Sequence, residues 1–135
     1  MIASASICLD TDVCVDYLRR RAASGPSAFG ALPVTSAWIS AVTLCELRYG
    51  THRSRDRTRE DQRLADLLSA VRVRAFDARA AEMAASVRAQ LEARGQRIGT
   101  LDTLIGAHAL AEGAALMTRN VKEFARIEGL AIAEV

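Results

Sequence analysis

Three carboxylates in this chain stand where carboxylates are costly. Asp10 ends the apolar run ICL, Glu46 lies inside AVTLCEL, and Asp102 lies inside GTLDTLIGA. Most of the other acidic residues keep polar company. A carboxylate drawn toward an apolar interior loses its hydration and must be compensated. Each of the three has an ordinary structural explanation. Asp10 or Asp12 could cap the following helix. Glu46 stands three residues after Thr43, the spacing of a capping box. Asp102 sits in the first turn after Thr100, a good N-cap, where the helix dipole favours an anion.

The elements that carry these acids decide between the readings. Residues 4–9 read as a short buried strand and 12–21 as a helix with Val13, Tyr17 and Leu18 near one face. AASGPSAFGALP collects Ser, Gly and Pro and reads as a loop. VTSAWIS (34–40) is β-rich, and AVTLCELRYGTHRS turns helical after it. A further helix is expected over about 58–69, and VRVRAF (71–76) alternates as a strand does. Asp77 is a good N-cap for a helix bearing Ala80, Met83, Ala84, Val87 and Leu91. EARGQRIG breaks it, and TLDTLIGAHALAEG opens the next, with Gly113 suited to its C-terminal end. AALMT and LAIAEV are short late strands.

Strands alternating with helices predict one α/β domain over residues 1–135, a mostly parallel sheet with helices on both faces. Ligands of such sheets bind at the carboxyl ends of the strands. Asp10 stands at such a junction, Glu46 near the start of the helix after the second strand, and Asp102 at the opening of a later helix. MTRN (117–120) ends another strand and brings Thr118 and Asn120 to the same edge. Three carboxylates and an amide at one edge repel without a cation, and oxygen ligands in that number suit Mg²⁺ or Mn²⁺.

Composition narrows the setting. Half of the 135 residues are hydrophobic but only 4% aromatic, so aliphatic side chains and Ala must fill the core. No run approaches the roughly 18–20 consecutive apolar residues of a membrane span. The start MIASASIC lacks the basic and long apolar regions of a signal peptide, so a cytoplasmic protein is expected. Cys8, Cys14 and Cys45 form no CxxC pair and read as small buried hydrophobes. The net charge is only +2, yet residues 48–63 hold six Arg against Asp56, Glu60 and Asp61. Such a stretch is either a solvated face or a contact for phosphates, which Arg grips in bidentate fashion.

The segments CLDTDVCVDYLR, ISAVTLCELRYG, IGTLDTLIGAHALAEGAALMTRNVKEF and ARIEGLAI, in that order, resemble the PIN-domain ribonucleases, specifically VapC-type toxins of bacterial toxin–antitoxin systems. The resemblance implies a PIN-like fold with a central sheet of four to five strands. It implies Asp10, Glu46 and Asp102 as metal ligands and Asn120 as the fourth site position. Thr118 would orient Asn120 or a metal-bound water. Two positions depart from the family pattern. Asp12 stands where Asn is usual, and Asn120 where many members carry Asp. That leaves three firm carboxylates, compatible with one or two ions. Asp12 would either restore a charge or cap the helix. The implied activity is a metal-dependent endoribonuclease acting on structured RNA, a transfer or ribosomal RNA, and leaving 5′-phosphate and 3′-hydroxyl ends. The implied partners are a cognate antitoxin and a second copy of the chain. Arg53, Arg55, Arg57 and Arg119 are the candidate RNA contacts.

Other residues are assigned to the scaffold. His108 lies six positions beyond Asp102, about 240° around the helix, and should face the core or an interface. His52 reads as solvated, Trp38 and Tyr49 as packing, and Glu123 as a helix-end acid. Two rival readings remain. DTDV after an apolar strand also resembles the first motif of haloacid-dehalogenase-type phosphatases, but that chemistry needs later acids and no Asp follows Asp102. The other rival is a PIN-like binding module with a degenerate pocket.

Overall fold

In the computed structural model, which describes residues 6–24 and 37–134, strands and helices alternate. Their order is β1 (Ile7–Leu9), α1 (Thr11–Ser24), β2 (Ala37–Ser40), α2 (Ala41–Arg53), α3 (Arg57–Ala70), β3 (Arg72–Arg74), α4 (Ala78–Ala93), α5 (Thr100–Ala111), β4 (Ala115–Thr118), α6 (Val121–Phe124) and β5 (Ile132–Glu134). The strands form one five-stranded sheet in the order β3-β2-β1-β4-β5, and every pairing is parallel. After β3 the chain crosses to the far side of β1, so the order reverses between β1 and β4. In open parallel sheets that reversal is where ligands bind.

Successive strand residues face opposite sides, and the short strands use both. Cys8, Trp38 and Leu116 join one core with α4 and α5 residues such as Ala84, Val87, Leu91 and Ile105. Their chain neighbours Leu9, Ala37 and Ile39 join the other core with Val13, Cys14 and Tyr17 of α1 and Leu64 and Leu67 of α3. Buried on both faces, the central strands read as continuous apolar runs, as parallel strands do. Among the described residues, no helix is long and apolar enough to cross a membrane.

Several boundaries differ from the expectation. The first strand covers Ile7–Leu9 rather than 4–9, with residues 4 and 5 outside the described residues. Helix α1 runs on through Ala22, Ala23 and Ser24, where a loop was expected; the rest of that loop and residues 34–36 lie outside the described residues. The strand expected over 71–76 pairs only at Arg72–Arg74, because β3 is an edge strand and Phe76 turns away to pack on the core beneath α4. The four-residue α6 escaped the sequence reading, being too short to show helical periodicity.

Two ends behave as the sequence predicts. The Asp77 side chain accepts the N–H of Ala80 at 2.9 Å and caps α4. Beyond the end of α5, Gly113 adopts φ +66°. There the Gly113 N–H bonds to the Leu110 carbonyl and the Ala114 N–H to the Ala109 carbonyl, the paired bonds of a Schellman turn. That turn sends the chain straight into β4.

Gly106, inside α5, serves a different purpose. A Cβ there would come within 2.5 Å of Ile127 Cδ1 and 3.3 Å of the Phe124 ring. The missing side chain lets α6 and the segment after it lie against α5, bringing the 118–123 turn close to the helix that carries Asp102. Gly106→Ala should therefore destabilise despite its better helix propensity, by a net of about 1 kcal/mol, since overpacking costs about 1–3 kcal/mol and the Gly-to-Ala gain is about 1. Thermal unfolding of the double variant with Ile127→Val, which removes the clashing methyl, should show less than the sum of the two single losses.

Candidate active site

Two strand–helix junctions without loops place the first two acids. Asp10 is the single residue between β1 and α1. It is only 3% exposed. Its Oδ1 accepts the Thr11 N–H and its Oδ2 accepts the Thr118 hydroxyl, both at 2.8 Å. Thr118 is itself buried at the end of β4 and accepts the Asn120 N–H at 2.9 Å. The hydroxyl thus joins the acid after β1 to the turn after β4, giving its proton to Asp10 and a lone pair to the Asn120 backbone.

Glu46 projects from the second turn of α2. That helix is capped by Ser40, whose Oγ accepts the Val42 N–H at 3.1 Å. Thr43 therefore lies inside the helix and is buried, and the capping-box explanation of Glu46 fails. The Thr11 hydroxyl donates instead to Glu46 Oε1 at 2.8 Å and lies 3.2 Å from the Thr43 hydroxyl. Asp102 sits in the first turn of α5. Gly99, not Thr100, holds the N-cap position, without a side-chain cap.

Asp10, Glu46, Asp102 and Asn120 all line one cleft of about 470 Å³. Asp12, Asp16, Arg19 and Arg119 complete its charged lining. Asp12 is more than a helix-start acid, because both its carboxyl and its charge act on Asp10. Glu123 likewise joins the site: it accepts from Asn120 Nδ2 at 3.0 Å, and its charge bears on Asp102. Neither was among the expected site residues, though both lie within three positions of one that was. Arg19 and Asp16 carry no such signal and meet the cleft only through the turn of α1.

The electrostatics follow from crowding and burial. Desolvation pushes the Asp10 carboxyl up to about 7; the Asp12 carboxyl adds to the rise, while the bonds from Thr118 and Thr11 oppose it. Asp102 is also raised, first by burial and then by the charges of Glu46, Glu123 and Asp12. Oδ1 of Asp12 is buried and has no hydrogen-bond partner among the described residues. Asp10 and Asp102, each raised in part by acidic neighbours, with an orphaned buried oxygen beside them, fit a cation. Among the described residues no three such groups close into a ready-made cage. The open cleft suits Mg²⁺, which keeps several of its waters and needs only one or two carboxylates.

The Arg-rich stretch lies elsewhere. Arg53, Arg55 and Arg57 are exposed and do not line the cleft. Arg53 stacks over the Tyr49 ring at 5.5 Å, and Arg57 is 3.6 Å from Asp61. Tyr49 is 60% exposed, contrary to the packing role expected of it. Arg119 does reach the cleft, 3.0 Å from Asp16. Cys45 is exposed on the outer side of α2, while Cys8 and Cys14 are buried as expected and burial pushes both thiols up. Trp38 is buried and His52 exposed, as the sequence suggests.

Comparison with known proteins shows the family and the fold. The family model described as the PIN domain matches residues 7–130. The chain is 35% identical over 123 residues to "Ribonuclease VapC2" of Rickettsia felis, covering 90% of this chain and 92% of that protein. It is 34% identical over 122 residues to "tRNA(fMet)-specific endonuclease VapC" of Shigella flexneri, again covering 90% and 92%. Among solved structures, VapBC2 from Rickettsia felis bound to a DNA fragment from their promoter superposes with a TM-score of 0.87 at 32% identity, covering 96% of this chain and 98% of that one.

The Asp10 shift gives a pH test. In the metal-free protein the folded state holds the Asp10 proton up to about 7, whereas an ordinary aspartate loses it near 3.8. Stability drawn from this group is fully present below 3.8 and is lost as pH rises from there to 7. Asp10→Asn, a neutral stand-in, should melt close to wild type at pH 3.5 and several degrees above it at pH 8. A difference that does not grow across that range would contradict the raised Asp10. Saturating Mn²⁺ should reverse the order at pH 8.

Proposed function

The chain belongs to the PIN-domain family, and on that footing we propose that it is a metal-dependent endoribonuclease toxin that cleaves structured RNA and is held in check by a cognate antitoxin. The observation that carries this reading is the meeting of Asp10, Glu46, Asp102 and Asn120 in one cleft with Arg119 at its wall. A phosphatase of the haloacid-dehalogenase type finds no support in a chain whose residues 7–130 match the PIN-domain family. A degenerate binding module would have no need to keep three mutually repelling carboxylates together.

Asp10, Glu46 and Asp102 would hold Mg²⁺ or Mn²⁺, with Asn120 as a neutral neighbour. A bound divalent ion supplies a more acidic water at neutral pH and positive charge against the scissile phosphate. The protein's own groups do the positioning. Thr118 fixes the direction of Asp10, and Thr11 that of Glu46. Hydrolysis adds the elements of water across the phosphorus–O3′ bond, so the products carry a 5′-phosphate and a 3′-hydroxyl. Without the ion the floor of the cleft would repel RNA.

Phosphate contacts fall to Arg119 and Arg19 at the cleft, with Arg53, Arg55 and Arg57 reaching more distant phosphates of a folded substrate. The relatives' names support transfer RNA as the class of target. A second groove of about 450 Å³ shares Thr11, Val15, Arg19 and Glu46 with the cleft and continues along Leu18, Leu47 and Leu64. Its apolar floor and its opening onto the acids suit an antitoxin segment that ends in a basic side chain. A homodimer, common to such toxins, completes the proposed assembly.

The direct test puts the partner-free protein and Asp10→Ala on bacterial total RNA, with Mg²⁺ or Mn²⁺ and again with EDTA, and maps the ends. Discrete cuts that require both the metal and Asp10 are expected; cutting that survives Asp10→Ala or EDTA would refute the reading. Arg119→Ala should weaken RNA binding and reduce the slope of log affinity against log salt by about 0.7–0.9, the loss of one phosphate contact. If neutralising Arg53, Arg55 and Arg57 together leaves affinity and slope unchanged, those three are surface charges only.

A further inference from the structure

His108 is fully buried, yet neither core contains a formal need for an imidazole. Its Nδ1 lies 2.8 Å from Ser40 Oγ. Its Nε2 is buried and has no hydrogen-bond partner among the described residues. Trp38 and Phe76 meet the ring edge-on, at centroid distances of 4.8 and 5.3 Å. A Leu of similar size would fill this space without the cost of burying polar nitrogen.

Counting donors and acceptors assigns the proton. Ser40 Oγ already accepts the Val42 N–H. If Nδ1 carried the ring proton and donated to Ser40, the serine proton would need another acceptor and Nε2 would be an orphaned acceptor. If Ser40 donates to a bare Nδ1, the serine is satisfied. The remaining Nε2–H is then the single unpaired group, buried among aromatic rings that can take it weakly. Burial keeps the ring neutral by pushing it below its ordinary range, against the pull of Glu112 and Asp77 and with the push of Arg74.

We propose that His108 is a positioning residue for the acidic cleft: by accepting the Ser40 hydroxyl it orients the N-cap of α2 and so sets the placement of Glu46 relative to Asp102. The geometry is economical. Helix α5 carries Asp102 in its first turn and His108 six residues further on, facing the core, so one rigid element holds one acid directly and addresses the other through Ser40. Ser40 stands at the carboxyl end of β2, at the same sheet edge as Asp10 and Thr118. With its proton committed to His108, Ser40 Oγ keeps a fixed lone pair for Val42, and the first turn of α2 cannot rock about β2. This role rests on the metal-binding reading of the cleft, but the hydrogen bond beneath it does not.

The test uses the whole chain, metal-free, with two readouts: Mn²⁺ affinity by titration and hydrogen exchange at the Val42 amide. His108→Leu keeps the bulk and removes the acceptor; it should weaken Mn²⁺ binding about fivefold to tenfold, at the low end of outer-shell effects, and speed exchange at Val42. His108→Asn, which can place an acceptor near the Nδ1 position, should recover most of both. Ser40→Ala should mimic His108→Leu, and the double variant should add little. Phe76→Leu, a packing control on the same ring, should lower the melting temperature with Mn²⁺ affinity unchanged. A folded His108→Leu that keeps Val42 protection and binds Mn²⁺ within twofold of wild type would overturn the proposal. Wild type that binds no Mn²⁺ would sink the metal reading instead, while Val42 exchange in His108→Leu still decides the link to Ser40.

Discussion

Everything at the carboxyl edge of this sheet is organised around a carboxyl group that has lost its water. Asp10 follows an apolar strand that must be buried, because it sits in the middle of the sheet with helices on both faces. There is no loop in which to turn the side chain outward, so the carboxyl stays where the strand ends. The surroundings respond with donors: a backbone N–H from the start of α1 and the hydroxyl of Thr118 from the neighbouring strand. Those two bonds do not fully replace hydration, and the group remains raised to about 7. A bound cation would supply the remaining compensation. The same logic extends outward, since Thr11, which helps hold Asp10 through its N–H, turns its hydroxyl to Glu46.

This arrangement implies a protein that is less stable than its fold would allow when metal is absent. Asp12, Asp102, Glu46 and Glu123 add like charge around one cleft, and among the described residues none of them is answered by a buried Arg or Lys. The basic groups stay at the rim. Arg119 and Asp16 form a pair that is partly exposed on both sides, so it is screened and contributes little to stability. Weak pairing is what a phosphate contact requires: Arg119 can leave Asp16 for a substrate phosphate at small cost. In the proposed function the acidic floor and the basic rim would take separate tasks, one toward a cation and the other toward an anion, and the exposure of each group suits that division.

The sequence disclosed the architecture and the principal acids for a physical reason. Apolar runs broken by acids are rare, and the alternation of strands and helices left few topologies to consider. Asp10, Glu46, Asp102 and Asn120 could thus be brought to one edge without coordinates. Local capping was harder to read. Ser40, Thr43, Gly99 and Thr100 are all acceptable at a helix start, and the choice depends on where the preceding strand stops pairing, which is a tertiary fact. Asp12 and Glu123 were visible but ambiguous, because an acid near a helix start has a structural explanation ready to hand. The basic stretch was ambiguous in the other direction. Its density along the chain suggested proximity to the site, yet Arg53 at the end of α2, Arg55 in the turn after it and Arg57 at the start of α3 do not line the cleft, while the isolated Arg119 does.

His108 shows why position around a helix is an incomplete guide to function. Its angular offset from Asp102 correctly sends it to the core and away from the cleft. Being in the core does not detach it from the chemistry, because the core is where the bases of the site's helices meet. Ser40 ends a strand, starts a helix and touches His108, so a contact made entirely inside the protein bears on how α2 leaves the sheet. Close packing transmits small displacements instead of absorbing them. In a cleft without a closed cage, the separation of Glu46 and Asp102 is set by the helices that carry them and not by the ion. On the proposed reading, the internal hydrogen bond between His108 and Ser40 would then be part of what makes the cleft fit a metal ion.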